Sequence, residues 1–517
     1  MTDQDRNGAD ALVSALADNG VSVCFANPGT SELDIVLALD REPRIRAIAV
    51  AQEGVASGAA DGYARMTGRP AATLLHLAPG YHNAAANFHN AKRAHSPIVS
   101  IIGDHAFAHR KFDTPLTAHL ERIAAEQAVL VETVTSPDDA ARAGALAVSE
   151  SIARGGQVAI VMCADAAWGK TNTLPERRRP TRGQTDDGLV EAAARAIRQA
   201  KNPAILIGAT ALHGAGLDAA ARLASAGYRI IGEGFPARQS RGAGRFNPPK
   251  ILYFTEMSIA QLAGVDLLVL VGAPPPVSFF QYPNRPVCGA PADCTVIDAG
   301  GAAAQAGERL VALAELLGAR AKAAPTGEPA RASAPEGALT PAALGQILAL
   351  HMPEGAIVSD DGVTASHFAF AATAQAAPHD WLSLTGGALG QGGPVAIGAA
   401  LAAPDRKVVC LVGDGAFLYT PQSLWTMARE KLDIAVIVAV NRSYEILKIE
   451  LGRMGAVNPG AASRSLLSLA DPDISYTALA HSFGVEAVSV DTSAGFDAAL
   501  RAAFSTRGPM LVEAILG

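Results

Sequence analysis

Cysteine, aromatic residues and charge are all scarce in this chain. Five cysteines (Cys24, Cys163, Cys288, Cys294 and Cys410) lie scattered through 517 residues. The one close pair, Cys288 and Cys294, has neither CxxC spacing nor a histidine partner pattern. A disulfide framework and a zinc site are therefore excluded as organising features, and all five read as reduced and mostly buried. Charged residues make up 18%, with 42 basic against 49 acidic side chains and a formal charge of −7. That balance offers no footprint for nucleic acid or an anionic membrane. No apolar run reaches the roughly 18 residues of a membrane span. The opening MTDQDRNGAD has no apolar core, so no secretory signal is expected, and the expectation is a cytoplasmic protein.

What is abundant is apolar and small. Residues of the apolar class account for 49%, and glycine for 50 positions, which suits a well-buried chain of about three domains. Two polar, proline-bearing stretches, Leu174–Gln184 and Ala323–Leu339, read as linkers. They divide the chain into blocks 1–173, 185–322 and 339–517. Each block alternates short aliphatic runs with amphipathic ones. VSVCFA, IRAIAV, AATLLHL and PIVSIIG read as strands in the first block. AILIG, YRIIG, DLLVLVGA and CTVIDA do so in the second, and GAIVSD, KVVCLVGD, IAVIVAVN and PMLVEAI in the third. Aliphatic runs without polar alternation mark strands buried on both faces. With helices between them they predict three α/β domains, each a parallel, doubly wound sheet. The triplets Gly58–Ala60 and Gly398–Ala400 hint that the outer blocks share one architecture.

Five motifs stand out. Gly413-Asp414-Gly415 ends one expected strand and Asn441 ends the next, which puts a carboxylate and an amide oxygen on one sheet edge. Such hard oxygens suit Mg²⁺ or Ca²⁺, and flanking glycines let backbone N–H groups approach a phosphate. A glycine-rich turn explains the same residues equally well. Glu53 opens a helix of small residues after a buried strand, either as a functional acid or as one favoured by the helix dipole. NPGTSE, residues 27–32, reads as a turn into a helix that Thr30 or Ser31 caps. His76 closes a buried strand. Leu384–Gly393, LTGGALGQGG, fails the dinucleotide pattern, whereas Gly214–Ala219 matches a loose G-x-G-x-x-A that keeps a nucleotide-binding oxidoreductase open as an alternative.

Taken together, these pieces resemble the thiamine-diphosphate-dependent decarboxylase and acetolactate synthase family. The match carries GDG, 25 intervening residues and then Asn441, with Val440-Asn441 where the family has Asn-Asn. The three blocks match its pyrimidine-binding, central and diphosphate-binding domains. The resemblance implies thiamine diphosphate and Mg²⁺ as cofactors, the metal held by Asp414, Asn441 and the Ser443 carbonyl. It puts Glu53 beside the pyrimidine N1′, where a carboxyl promotes the imino tautomer whose N4′ removes the thiazolium C2 proton. Gly387 matches the carbonyl that accepts from the aminopyrimidine, and Leu389 the bulky residue that bends the cofactor. Gly362, Thr364, Gly413, Gly415, Ala416 and Tyr444 match its other cofactor positions. Glu53, Thr30 and His76 match catalytic positions; benzoylformate decarboxylase has a serine and a histidine at the last two.

The substrate implied is a small 2-oxo acid or 2-hydroxy ketone. The reading is acetolactate synthase-like, with a benzoylformate-type decarboxylase or benzaldehyde-lyase-like enzyme as the alternative and a non-catalytic homologue as a further one. The family places its glutamate and its diphosphate site on different subunits, which implies a homodimer or homotetramer. Two further positions depart from relatives. Pro274–Pro283 holds no second histidine, and Leu447 stands where pyruvate decarboxylases have glutamate. The short middle block is not expected to hold FAD. Phe279, Phe280 and Leu447 read either as an apolar acceptor pocket or as ordinary packing.

Overall fold

The computed structural model describes residues 6–180, 187–320, 333–456 and 458–517. Residues 181–184 and 323–332 of the two expected linkers lie outside the described residues. Three sheets carry the fold. The first contains β1 (Val23–Asn27), β2 (Arg46–Ala49), β3 (Ala71–His76), β4 (Ile98–Asp104), β5 (Leu130–Val134) and β6 (Gln157–Cys163), in the order 2-1-3-4-6-5. The second contains β7 (Pro203–Ile207) and β8 (Arg229–Gly232), together with β10 (Leu267–Val271) and β11 (Thr295–Asp298). Between them in sequence, β9 (Gln239–Arg241) leaves for the third sheet.

That third sheet is built from β12 (Ile357–Asp361), β13 (His379–Leu382), β14 (Val408–Gly413), β15 (Ile434–Val440), β16 (Glu486–Val490) and β17 (Met510–Ile515), with β9 on its edge. Counted from β12 as the first strand, its order is again 2-1-3-4-6-5. The faint repeat of small-residue triplets therefore reflects two copies of one topology. Every strand pair is parallel except β9 with β13, where Gln239 lies opposite Trp381. The expectation of all-parallel sheets is corrected at this one edge. A three-residue strand has too few residues to show a period.

The outer units meet through the small-residue helices that the sequence singled out. Helix Glu53–Thr67 lies on helix Gly392–Ala402 so closely that a Cβ on Gly62 would meet the Val395 carbonyl, and one on Gly398 the Ala59 carbonyl. Only glycine permits that backbone approach. The resulting apolar core runs without a break from Val55 and Ala59 to Val395 and Val412. Among the described residues no helix is long and apolar enough to cross a membrane. Cys24, Cys163 and Cys410 are buried, whereas Cys288 is exposed, and all five are free thiols.

Asp380 on β13 ties the three units together. It is buried, accepting from Ser240 Oγ at 2.5 Å, Arg406 Nη2 at 2.7 Å and Arg238 Nη2 at 3.0 Å. Arg238 also donates to the Met66 carbonyl of the first unit. Burial alone would raise this carboxyl, but Arg238, Ser240 and Arg406 reverse that and hold it at about 2. A pKa lowered on folding stabilises above the unfolded value near 3.8 and is lost as pH falls toward 2, a contribution of about 2 kcal/mol. Asp380→Asn should therefore lower the urea midpoint at pH 7, and the gap from wild type should close between pH 4 and pH 2.

Candidate active site

The polar residues of the outer sheets collect at their C-terminal edges, where open α/β sheets bind ligands. On the third sheet, β14 delivers Asp414 and β15 delivers Asn441 to adjacent positions. The Asp414 carboxylate is 4% exposed and clamped by backbone donors. Gly415 N–H reaches Oδ1 at 2.8 Å, while the Asn441 and Arg442 N–H groups reach Oδ2 at 3.0 and 2.6 Å. Burial nevertheless wins and raises its pKa. Asn441 Oδ1 accepts from Ser443 N–H at 2.9 Å, so Asp414, Asn441 and Ser443 form one cluster. Among the described residues no group of three or more His, Cys, Asp and Glu gathers to hold a metal. The Asp414 carboxylate and the Asn441 amide oxygen are hard donors of the kind that fits Mg²⁺.

Beside this cluster lies the Gly-rich loop that follows β13. Gly387 has φ +75°, and the Phe279 ring occupies the space a Cβ would need. Two independent constraints therefore demand glycine there. Leu389 is half-buried and packs onto the core shared by the outer units. Asp361, at the end of β12, binds the same loop through Oδ2, which accepts from Gly390 N–H at 2.8 Å and Gly392 N–H at 3.2 Å. Its Oδ1 is buried without a partner, and burial pushes the group up to about 7. Gly362 follows Asp361 directly, and Thr364 opens the next helix. Ala416 is buried behind Asp414, while the Tyr444 ring fills the space beside Gly415. Gly413 is open by contrast, its nearest atoms being main-chain oxygens of residues 361 and 362.

The first sheet presents a second cluster. Glu53 is the first residue of its helix and accepts from Asn83 Nδ2 at 3.0 Å. The adjoining Gly54 carbonyl accepts from Asn87 Nδ2 at 2.8 Å, and the same amide reaches the Gly390 carbonyl at 3.4 Å. His76 sits at the end of β3, and Thr30 is exposed in a turn packed on the His76 ring. Neither Thr30 nor Ser31 caps a helix. Glu32 reaches back instead and accepts from Gly29 N–H at 2.7 Å. Thr420 Oγ1, between Asp414 and Asn441 in sequence, donates to the Gly390 carbonyl at 2.7 Å.

Three contributors escaped the sequence reading. Glu32 is fully buried and binds His76 Nδ1 at 2.8 Å. A carboxylate at Nδ1 fixes the proton there and leaves Nε2 for the site. The acid in NPGTSE, read only as part of a turn, carried the signal. Arg65 is also buried, forking onto Asp61 while donating to the Ser383 carbonyl at 2.8 Å, Thr385 Oγ1 at 3.0 Å and Gln391 Oε1 at 3.3 Å. It grips both ends of the Gly-rich loop. Finally, Leu77, Val363 and Arg442 adopt φ values of +45°, +50° and +52°. Each directly follows His76, Gly362 or Asn441, and strained backbone of this kind clusters at functional sites.

In the loose G-x-G-x-x-A, Gly214 supplies a turn at φ +55° and Gly216 serves packing. A Cβ on Gly216 would meet the Thr210 carbonyl and the Gly307 Cα. Beyond the end of β7, Glu233 Oε1 accepts from Ala209 N–H at 2.9 Å and crowds Gly208. These contacts remove the motif's support for the oxidoreductase alternative.

Comparison with known proteins bears on both clusters. Residues 6–129 match the thiamine pyrophosphate enzyme N-terminal TPP binding domain, and residues 362–514 match the C-terminal TPP binding domain. A candidate acetolactate synthase large subunit of Mycobacterium tuberculosis is 43% identical over 516 residues, 99% of each chain. Benzoylformate decarboxylase of Pseudomonas aeruginosa is 26% identical over 97% of each chain. The solved 4-hydroxybenzoylformate decarboxylase of Rhodococcus jostii RHA1 shares the fold, with a TM-score of 0.84 at 23% identity over 99% of each chain.

Proposed function

The chain belongs to the thiamine pyrophosphate enzyme family, and from that premise we propose that it makes or breaks a carbon–carbon bond beside the carbonyl of a 2-oxo acid or 2-hydroxy ketone. Acetolactate synthase-like carboligation is the main reading. Thiamine diphosphate, when bound, supplies the electron sink for that bond. Asp414, the Asn441 side chain and the Ser443 carbonyl hold Mg²⁺ against its diphosphate. The bare backbone at Gly362, Gly413, Gly415 and Ala416 approaches the phosphate oxygens, with Thr364 and Tyr444 alongside. The Gly387 carbonyl would accept from the aminopyrimidine, and the Leu389 side chain would pack against the bound cofactor. Glu53 holds a proton at the pyrimidine N1′. His76, oriented by Glu32, presents Nε2 for proton transfer to or from substrate, with Thr30 in the adjoining turn.

The observation that carries this reading is the Asp414 clamp, in which three backbone N–H groups hold a buried carboxylate at the strand end where Asn441 also brings its amide oxygen. In this reading the working unit is a cytoplasmic homodimer or homotetramer whose sites pair Glu53 of one subunit with Asp414 of another. A second reading, decarboxylation of the benzoylformate type, is favoured by the exposed rings of Phe279 and Phe280 near Gly387.

Purified protein supplied with thiamine diphosphate and Mg²⁺ should release CO₂ from at least one of pyruvate, 2-oxobutyrate and benzoylformate, with products identified by mass spectrometry. Absence of turnover by cofactor-saturated protein, with benzoin as a 2-hydroxy ketone beside the three 2-oxo acids, would overturn the proposal. Asp414→Ala should weaken thiamine diphosphate binding by at least roughly 100-fold in the presence of Mg²⁺, since even partners outside the ligand shell carry 10- to 100-fold effects. In titration calorimetry the variant should show no gain in affinity when Mg²⁺ is added.

A further inference from the structure

Two asparagines, Asn87 and Asn90, sit in the interior of helix Leu77–Arg93, where asparagine is a poor helix former. Asn87 is 3% exposed and Asn90 is fully buried. An amide so placed costs free energy unless its donors and acceptor find partners. Both amides find them. Asn90 Oδ1 accepts from Ala388 N–H at 3.1 Å. Its Nδ2 donates to the Ala388 carbonyl at 2.8 Å and to Asn87 Oδ1 at 3.1 Å. Asn87 Nδ2 in turn donates to the Gly54 carbonyl at 2.8 Å and reaches the Gly390 carbonyl at 3.4 Å. All four amide protons and both amide oxygens are engaged, so neither side chain can turn over without losing bonds.

The helix and the Gly-rich loop meet along consecutive residues. Thr385 Oγ1 donates to the Asn90 carbonyl at 2.7 Å, and His89 Nε2 lies 3.2 Å from the Gly386 carbonyl. A Cβ on Gly386 would stand 2.6 Å from Asn90 Oδ1, so only glycine lets the loop come this close. The contact to Ala388 N–H has a particular consequence. That N–H and the Gly387 carbonyl belong to one peptide unit, which is trans. In a planar trans peptide the C=O and N–H point in opposite directions. By holding the N–H, Asn90 turns the Gly387 oxygen away from the helix. A hydrogen bond on the N–H also polarises the carbonyl and makes it a better acceptor.

We propose that Asn90 is the positioning residue for the Gly387 carbonyl: it aims and polarises the oxygen that takes a hydrogen bond from the 4′-amino group of thiamine diphosphate, and Asn87 keeps the Asn90 amide from turning over. The inference rests on the Gly387 contact in the proposed function and deepens it by naming the residues that set that contact. A role in packing alone calls for an apolar side chain at either position. Two fully paired amides instead specify one orientation of one peptide.

The test uses the full-length protein with Mg²⁺. It reads calorimetric affinity for thiamine diphosphate and for its 4′-desamino analogue, which lacks the donor. Wild type should bind thiamine diphosphate roughly tenfold or more tighter than the analogue, the range for leaving a buried acceptor unpaired. Asn90→Ala should weaken thiamine diphosphate roughly tenfold and the analogue by less than about twofold, so that the preference disappears. Asn87→Ala should give a smaller loss of the same selective kind, and it supplies the readout if Asn90→Ala fails to fold. A role confined to stability would weaken both ligands alike. Equal losses for the two ligands, an unchanged preference in the variants, or a wild type that does not distinguish them overturns the positioning role and leaves the proposed bond chemistry standing. A selective loss in a protein whose wild type turns over none of pyruvate, 2-oxobutyrate, benzoylformate and benzoin supports the positioning role and overturns the proposed function.

Discussion

Arg65→Ala is expected to cost about 3–5 kcal/mol, the range for removing one partner of a buried ion pair. Its carboxylate partner, Asp61, is fully buried and, among the described residues, would keep only Ser96 Oγ, at 2.5 Å, as a side-chain donor. The loss would reach the Gly-rich loop as well. Arg65 supplies donors to the Ser383 carbonyl, Thr385 Oγ1 and Gln391 Oε1, which stand at the two ends of the loop. Gln391 would still donate to the Ser383 carbonyl at 3.0 Å, so the loop would loosen rather than detach. Urea unfolding should show an earlier midpoint, and thiamine diphosphate affinity should fall in the same variant. Arg65→Lys should recover only part of both, because an ammonium cannot reproduce the planar fork onto Asp61. Wild-type stability in Arg65→Ala would mean that the outer units do not depend on this bridge.

The parts of this molecule that could be read from sequence are those encoded by neighbours in the chain. Strands buried on both faces declare themselves as aliphatic runs, so β12, β14, β15 and β17 were legible from a few residues each. Asp414 and Asn441 were legible for a related reason. Both end such runs, and adjacent parallel strands bring their ends to one edge. β9 was not legible, since its pairing with β13 lies about 140 residues away in sequence and nothing in Gln-Ser-Arg announces it. Arg65 and Glu32 were illegible as site components because their partners come from other elements. Arg65 meets a loop more than 300 residues distant, and Glu32 meets a histidine 44 residues on. The left-handed conformation of Val363 had no sequence signal at all, because a β-branched residue is a poor choice for that backbone. Phe279 and Phe280 were visible as apolar residues, but their closeness to Gly387 depends on how the second and third units pack.

Glu53 carries the central claim, that this fold activates thiamine diphosphate. Its position as the first helical residue and its hydrogen bond from Asn83 leave a half-buried carboxyl on the C-terminal edge of the first sheet. A carboxyl placed against a ring nitrogen can share a proton with it, and positioned proton transfer of this sort is worth roughly 10²–10⁴ in rate. Glutamine keeps the size and the hydrogen-bonding carbonyl while removing the ability to exchange that proton. The most direct measurement is hydrogen–deuterium exchange at C2 of thiamine diphosphate bound to wild type and to Glu53→Gln, at matched cofactor occupancy. The account predicts exchange slowed by roughly 10²–10⁴ in the variant; exchange at the wild-type rate would contradict it.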